Sequence, residues 1–116
     1  MDLSLKGKKA VVCGSTQGIG KAIAMELSLL GADCILLARN EDRLKEAVSS
    51  LDSKQGQQHQ YAVADFQQPE QVKAVITALA GANTIHILIN NTGGPAPGLI
   101  QLAGADQFLN AFQQHI

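Results

Sequence analysis

Apolar positions along this chain come in blocks, not in strict alternation. Residues 8–13, Lys-Lys-Ala-Val-Val-Cys, form a short apolar run entered from polar residues and closed by Gly14, which reads as a buried strand. Ile19, Ile23, Leu27 and Leu30 then recur at three and four residues, a helix face, with Gly31 as its stop. Residues 34–38, Cys-Ile-Leu-Leu-Ala, predict a second buried strand. Asn40 is placed to cap a helix whose first turn carries Glu41 and Asp42 and whose inner face is Leu44, Ala47, Val48 and Leu51. A third strand is expected over 59–64. Pro69 suits the first turn of a third helix, with Val72, Val75, Ile76 and Leu79 inward and Gly81 at its end. Residues 85–89 predict a fourth strand. The segment 91–104 holds four of the eleven Gly and two of the three Pro and reads as loop. Residues 105–116 look helical, with Phe108, Leu109, Phe112 and Ile116 on one side.

Continuous apolar strands alternating with amphipathic helices predict an α/β, doubly wound parallel sheet covered on both faces. Residues 1–116 then form one partial domain holding only the first four strands and their helices.

Composition narrows the classes. With 46% apolar and 16% charged residues in 116, the chain is far too apolar for a disordered tail and long enough for a core. A net charge of -1 gives no electrostatic footprint for nucleic acid or an anionic membrane. The N-terminus has no signal-like apolar stretch, and no run approaches the roughly 18 apolar residues of a membrane span. Cys13 and Cys34 lie in apolar runs and read as reduced thiols of a cytoplasmic protein. His59, His86 and His115 show no metal spacing, so no metal site is expected. All nine Lys+Arg lie at or before Lys73, and beyond it only Asp106 is charged. That stretch looks like interior or covered surface, so the sequence is expected to be the first part of a larger fold. The fourth strand would then be an unprotected sheet edge, which predicts a homo-oligomer.

The sharpest motif, Gly14-Ser15-Thr16-Gln17-Gly18-Ile19-Gly20, lies directly between the first strand and the first helix. Glycines there allow a tight turn and a close backbone approach to phosphate, and the helix N-terminus offers free N–H groups. It is not a nucleoside-triphosphate loop: Lys21 is followed by Ala22 where Ser or Thr should hold magnesium. A strand–helix turn with packing glycines is the plain reading, and its place in a strand–helix–strand unit points instead to a dinucleotide. The tip of the second strand, Ala38-Arg39-Asn40, offers a guanidinium where NAD-binding folds place an acid. That favours NADP(H) over NAD(H), against Arg39 as a solvated residue at a helix start. Asp65, before Phe66, closes the third strand and either accepts from an adenine amino group or caps the turn before Pro69.

Together these residues resemble the N-terminal part of the short-chain dehydrogenase/reductase family, whose reductases of 3-oxoacyl thioesters are similar. Cys13 to Gly20 resembles its Thr-Gly-x-x-x-Gly-x-Gly cofactor loop, and Asn90-Asn91-Thr92-Gly93 its Asn-Asn-Ala-Gly motif. The resemblance implies a Rossmann fold and a cofactor site of Gly14, Ser15, Thr16, Gln17, Gly18, Ile19, Gly20, Arg39, Asn40, Asp65, Phe66, Asn91, Thr92 and Gly93. On the residues alone, Asn90–Gly93 is equally a plain turn. Cys13 and Thr92 depart from the family's Thr and Ala, and His115 falls where the family places a helix Asn. The family's Tyr-x-x-x-Lys pair and Ser have no counterpart: the one Tyr, Tyr61, is followed by Asp65 four residues on. The resemblance therefore implies the cofactor-binding portion of an oxidoreductase transferring hydride between NADP(H) and a carbonyl or alcohol substrate. It assigns the chain no catalytic residue and no activity of its own. The alternative is a non-catalytic nucleotide-binding or interaction module.

Overall fold

The computed structural model describes residues 4–14 and 16–91, and the backbone of residues 99–102. In chain order the elements are β1 (Lys9–Cys13), α1 (Gly18–Leu29), β2 (Asp33–Ala38), α2 (Glu41–Ser49), β3 (Gln60–Val63), α3 (Pro69–Ala82), β4 (Ile87–Asn90) and β5 (Leu99–Leu102). They build one sheet in the order β3-β2-β1-β4-β5. The first four strands are parallel, with Val11 beside both Ile35 and Leu88.

The apolar runs are continuous because both sheet faces are covered. Along β1 the side chains alternate: Ala10 and Val12 join Leu36, Ile89, Ala24 and Leu44 on the α1/α2 face. Val11 and Cys13 join Ile35, Leu37, Leu88, Val72 and Ile76 on the α3 face. Each fully buried Leu or Ile of this set, such as Leu36, contributes roughly 1.5–3 kcal/mol of apolar transfer.

Three expectations need correction. The inner row of α1 is Gly20, Ala24 and Ser28, while Ile19 is 60% and Leu30 38% exposed. Small residues spaced by four let the helix backbone sit close to the strands, so the larger Ile23 and Leu27 pack at its flank. Secondly, the segment expected as loop contains β5, which pairs antiparallel with β4 from Asn90↔Leu99 to Ile87↔Leu102. The apolar Leu-Ile-Gln-Leu run between Gly98 and Gly104 meets the unpaired backbone groups of β4's outer edge. The sheet thus has five strands, and the expected homo-oligomer loses the bare β4 edge as its premise. Thirdly, α3 continues through Gly81 to Ala82, where the Asn83 N–H donates to the Leu79 carbonyl. The helix expected over 105–116, with His115, lies outside the described residues.

Two histidines fasten strand beginnings. His59 Nδ1 accepts the Cys34 N–H at 3.0 Å, and its Nε2 lies 2.7 Å from the Asp52 carbonyl, to which it donates. His86 Nδ1 accepts the Lys9 N–H at 3.1 Å. The buried Gln57 donates to the Ser28 carbonyl at 2.6 Å and ties α1's last turn to the loop before β3. His59→Phe keeps the ring but orphans a half-buried N–H and a carbonyl. It is expected to lower stability by about 1–3 kcal/mol, read from urea unfolding.

Candidate functional site

The carboxyl ends of β1, β2 and β3 open on a cavity of about 320 Å³. Its floor is the turn from β1 into α1. Gly14 has φ +71° and its N–H donates to the Leu37 carbonyl at 2.9 Å, extending the β1–β2 ladder by one residue. A methyl group on Gly14 would overlap the Asn91 carbonyl oxygen. One on Gly20 would overlap the Gly14 carbonyl oxygen and lie 3.0 Å from Asn91 Nδ2. Only glycine permits this three-way approach of the turn, α1 and the end of β4. Asn91 belongs to the same joint, since its N–H donates to the Cys13 carbonyl at 3.2 Å.

The two helices that face the cavity differ in how their N-termini are satisfied. For α1, no side chain caps the end and the first turn holds no acid, among the described residues. Its first N–H groups are therefore available to an anion. For α2, Asn40 Oδ1 accepts the Arg43 N–H at 3.0 Å and Glu41 and Asp42 fill the first turn, as the sequence predicts.

Of the expected site residues, Gly14, Thr16, Gln17, Arg39 and Asn40 line the cavity together with Asp65 and Phe66. Gly18, Ile19 and Gly20 form the first turn of α1 beside it, and Asn91 stands behind the glycine turn. Ser15, Thr92 and Gly93 lie outside the described residues. Asp65 takes up the turn-capping role: its Oδ1 accepts the Gln67 N–H at 2.9 Å. Its other carboxylate oxygen has no described partner. Arg39 is exposed and has no hydrogen bond or ion pair among the described residues. Sequence reasoning missed Arg43, which lines the same cavity and donates from Nη1 to Gln17 Oε1 at 3.5 Å. Its signal is a cation in a helix's first turn, against the helix dipole.

Tyr61 lies off the cavity wall, its hydroxyl donating to Glu41 Oε2 at 3.3 Å. Cys13 and Cys34 are buried and unpaired. Burial raises the Cys13 thiol far above its ordinary range. It pushes Cys34 up to about 12, with the Asp33 carboxylate adding a smaller upward push.

A parallel sheet whose first strand turns through close-packed glycines into a helix is the framework of dinucleotide-binding enzymes. This chain belongs to the short chain dehydrogenase family, oxidoreductases that bind a nicotinamide dinucleotide: residues 8–114 match it. It is 41% identical over 90 residues to a ketoacyl reductase of the granaticin polyketide synthase of Streptomyces violaceoruber, covering 77% of this chain and 33% of that protein. It is 38% identical over 93 residues to very-long-chain 3-oxoacyl-CoA reductase-B of Danio rerio, covering 80% and 30%. The chain spans about a third of the length of these curated relatives. Among solved structures, L-sorbose reductase from Gluconobacter frateurii, complexed with NADPH and L-sorbose, superposes with a TM-score of 0.71 at 37% identity. That match covers 94% of this chain and 42% of the reductase.

Substitutions at two glycines and a thiol assay test this geometry. Gly20→Ala is expected to lower stability by about 1–3 kcal/mol through overlap with fixed backbone. Gly18→Ala, where φ is +63° but the space is open, is expected to cost about 1–2 kcal/mol from backbone strain alone. The Gly20 variant alone is expected to disturb the Asn91 amide, read as its side-chain NMR shift. In a thiol-reagent assay at pH 8, neither cysteine is expected to react until the chain unfolds.

Proposed function

We propose that this chain is the cofactor-binding portion of an NADP(H)-dependent oxidoreductase acting between a carbonyl and an alcohol. The observation that supports this reading most is Arg39, a guanidinium with no hydrogen bond or ion pair among the described residues, on the wall of the cavity that the glycine turn floors. An arginine suits a 2′-phosphate and cannot accept from a ribose 2′-hydroxyl, which an acid at this strand tip would do.

The residues fit the cofactor in outline. The uncapped α1 amides and the Gly14–Gly20 turn suit a pyrophosphate, with the Thr16 hydroxyl beside them. The second carboxylate oxygen of Asp65 suits the adenine amino group, while Phe66 forms part of the wall. The backbone of Asn91 to Gly93 would serve the nicotinamide-side ribose. Bound nicotinamide supplies the carbon that gives or takes a hydride. Proton transfer to the carbonyl oxygen needs a positioned acid, and Tyr61, engaged with Glu41 away from the cavity, does not provide one. The chain on its own is therefore proposed to bind cofactor without turnover, and its two buried thiols suit the cytoplasm.

Fluorescence titration tests the binding reading. NADPH is expected to bind more tightly than NADH, and Arg39→Ala to weaken NADPH about tenfold with NADH nearly unchanged. Equal loss for both coenzymes removes Arg39 from the 2′-phosphate role. With ketones and 3-oxoacyl thioesters, NADPH consumption is expected to stay at the buffer rate. Turnover that co-purifies with the chain overturns the proposed inactivity.

A further inference from the structure

We infer that Gln71, an exposed residue of α3 that is not part of the cavity wall, is a positioning residue for recognition of the adenine base. It holds the backbone of Asp65 so that the second carboxylate oxygen stays aimed at the amino group of the base. The inference rests on the reading of Asp65 as the adenine contact given above and adds the residue that makes this contact selective.

β3 is the edge of the sheet, with no strand beyond it among the described residues. On its inner side the Ala64 N–H donates to the Ala38 carbonyl at 2.9 Å. The next N–H, that of Asp65, has no strand to donate to, and Gln71 Oε1 accepts it at 2.7 Å. The Asp65 carbonyl accepts the Gln68 N–H at 2.8 Å, and Asp65 Oδ1 accepts the Gln67 N–H at 2.9 Å. Of the polar atoms of Asp65, only Oδ2 is without a described partner.

The Gln71 contact is not ordinary helix capping. A glutamine at the third helical position can return to the N–H of its own N-cap residue, here Gln68, but that N–H already donates to Asp65. Gln71 reaches three residues further back, to the end of β3. It does so from a fixed base: its own N–H donates to the Gln68 carbonyl at 3.0 Å, and its neighbour Val72 is fully buried against the sheet. Two of the three bonds at Asp65 lie within the turn 65–68 and move with it. The bond to Gln71 is the one that ties this turn to an element packed on the core. A carboxylate that swings with a loosened turn forfeits a directional hydrogen bond, while the rest of the cavity keeps its shape. Loss of Gln71 therefore falls on recognition of the amino group and spares the remainder of the nucleotide.

Fluorescence titration compares NADPH with its hypoxanthine counterpart, in which oxygen replaces the 6-amino group of adenine. The proteins are the unaltered chain, Gln71→Met, Gln71→Glu and Asp65→Ala. Methionine keeps the length and helix preference of glutamine and removes the acceptor, whereas glutamate keeps an acceptor. Position 71 is exposed, and circular dichroism verifies that each variant is folded. The unaltered chain is expected to favour NADPH about tenfold, and Asp65→Ala to erase that preference. Gln71→Met is expected to weaken NADPH about fivefold and to leave the hypoxanthine coenzyme within about twofold, while Gln71→Glu stays within about twofold of the unaltered chain for both. Equal weakening of both coenzymes in Gln71→Met makes the residue a staple of the fold and overturns the inference while the Asp65 reading stands. An unchanged preference in Gln71→Met, or its loss in Gln71→Glu, overturns the inference in the same way. If the unaltered chain shows no preference, or Asp65→Ala retains it, the adenine reading itself fails and takes Gln71 with it.

Discussion

The structure depends on a joint with no room for a side chain. Gly14 ends β1, Gly20 lies in the first turn of α1 and Asn91 follows β4, and at both glycines a methyl group would meet fixed backbone. Close approach there seats α1 directly on the strand ends, and the row Gly20, Ala24, Ser28 continues that seating down the helix. The same approach aims the uncapped amides of α1 at the cavity. Packing and ligand chemistry are thus two consequences of one steric condition: widening the joint for a Cβ would push the helix off the strand ends and shift its N-terminus.

Charge then divides the cavity. On the α1 side there are amides and no acid, among the described residues. On the α2 side the helix end is already satisfied by Asn40, Glu41 and Asp42, so attraction for an anion there comes from the Arg39 and Arg43 side chains. An elongated ligand with one anionic group near the first helix and another near the second matches that division. A ligand with a single phosphate leaves one half unused.

Much of this was legible in the chain. The parallel strands β1, β2 and β4 follow from apolar runs too continuous for a sheet with a wet face, and the cap at Asn40 from residue type and spacing alone. Gly14, Arg39 and Asp65 fall on one cavity because the strands of a parallel sheet end on the same side. What stayed hidden depends on tertiary contact. Periodicity assigned Ile19 and Leu30 to the inner face of α1, since it registers hydrophobicity and takes no account of the close packing that admits only Gly, Ala and Ser. The glycines and prolines of 91–104 obscured β5, a short run that becomes a strand only because β4 offers an unpaired edge. Arg43 shows in the sequence only as a cation in a helix's first turn, and the fold alone brings it to Gln17, twenty-six positions earlier.

The departure at Cys13 shows how the joint tolerates change. The resemblance places a Thr there whose hydroxyl would tether the glycine turn to the strand-four motif. In this chain the buried thiol packs among Val11, Leu37 and Leu88, on the α3 face, and the tether is made by main chain: the Asn91 N–H donates to the Cys13 carbonyl. A backbone bond is indifferent to the side chain at position 13, so that position is free to serve the core. The Asn91 amide, 3.0 Å from where a Gly20 methyl would sit, closes the joint from the other side. The geometry that fixes the floor of the cavity is therefore written in the two glycines and Asn91, and a hydroxyl at position 13 would reinforce that floor without determining it.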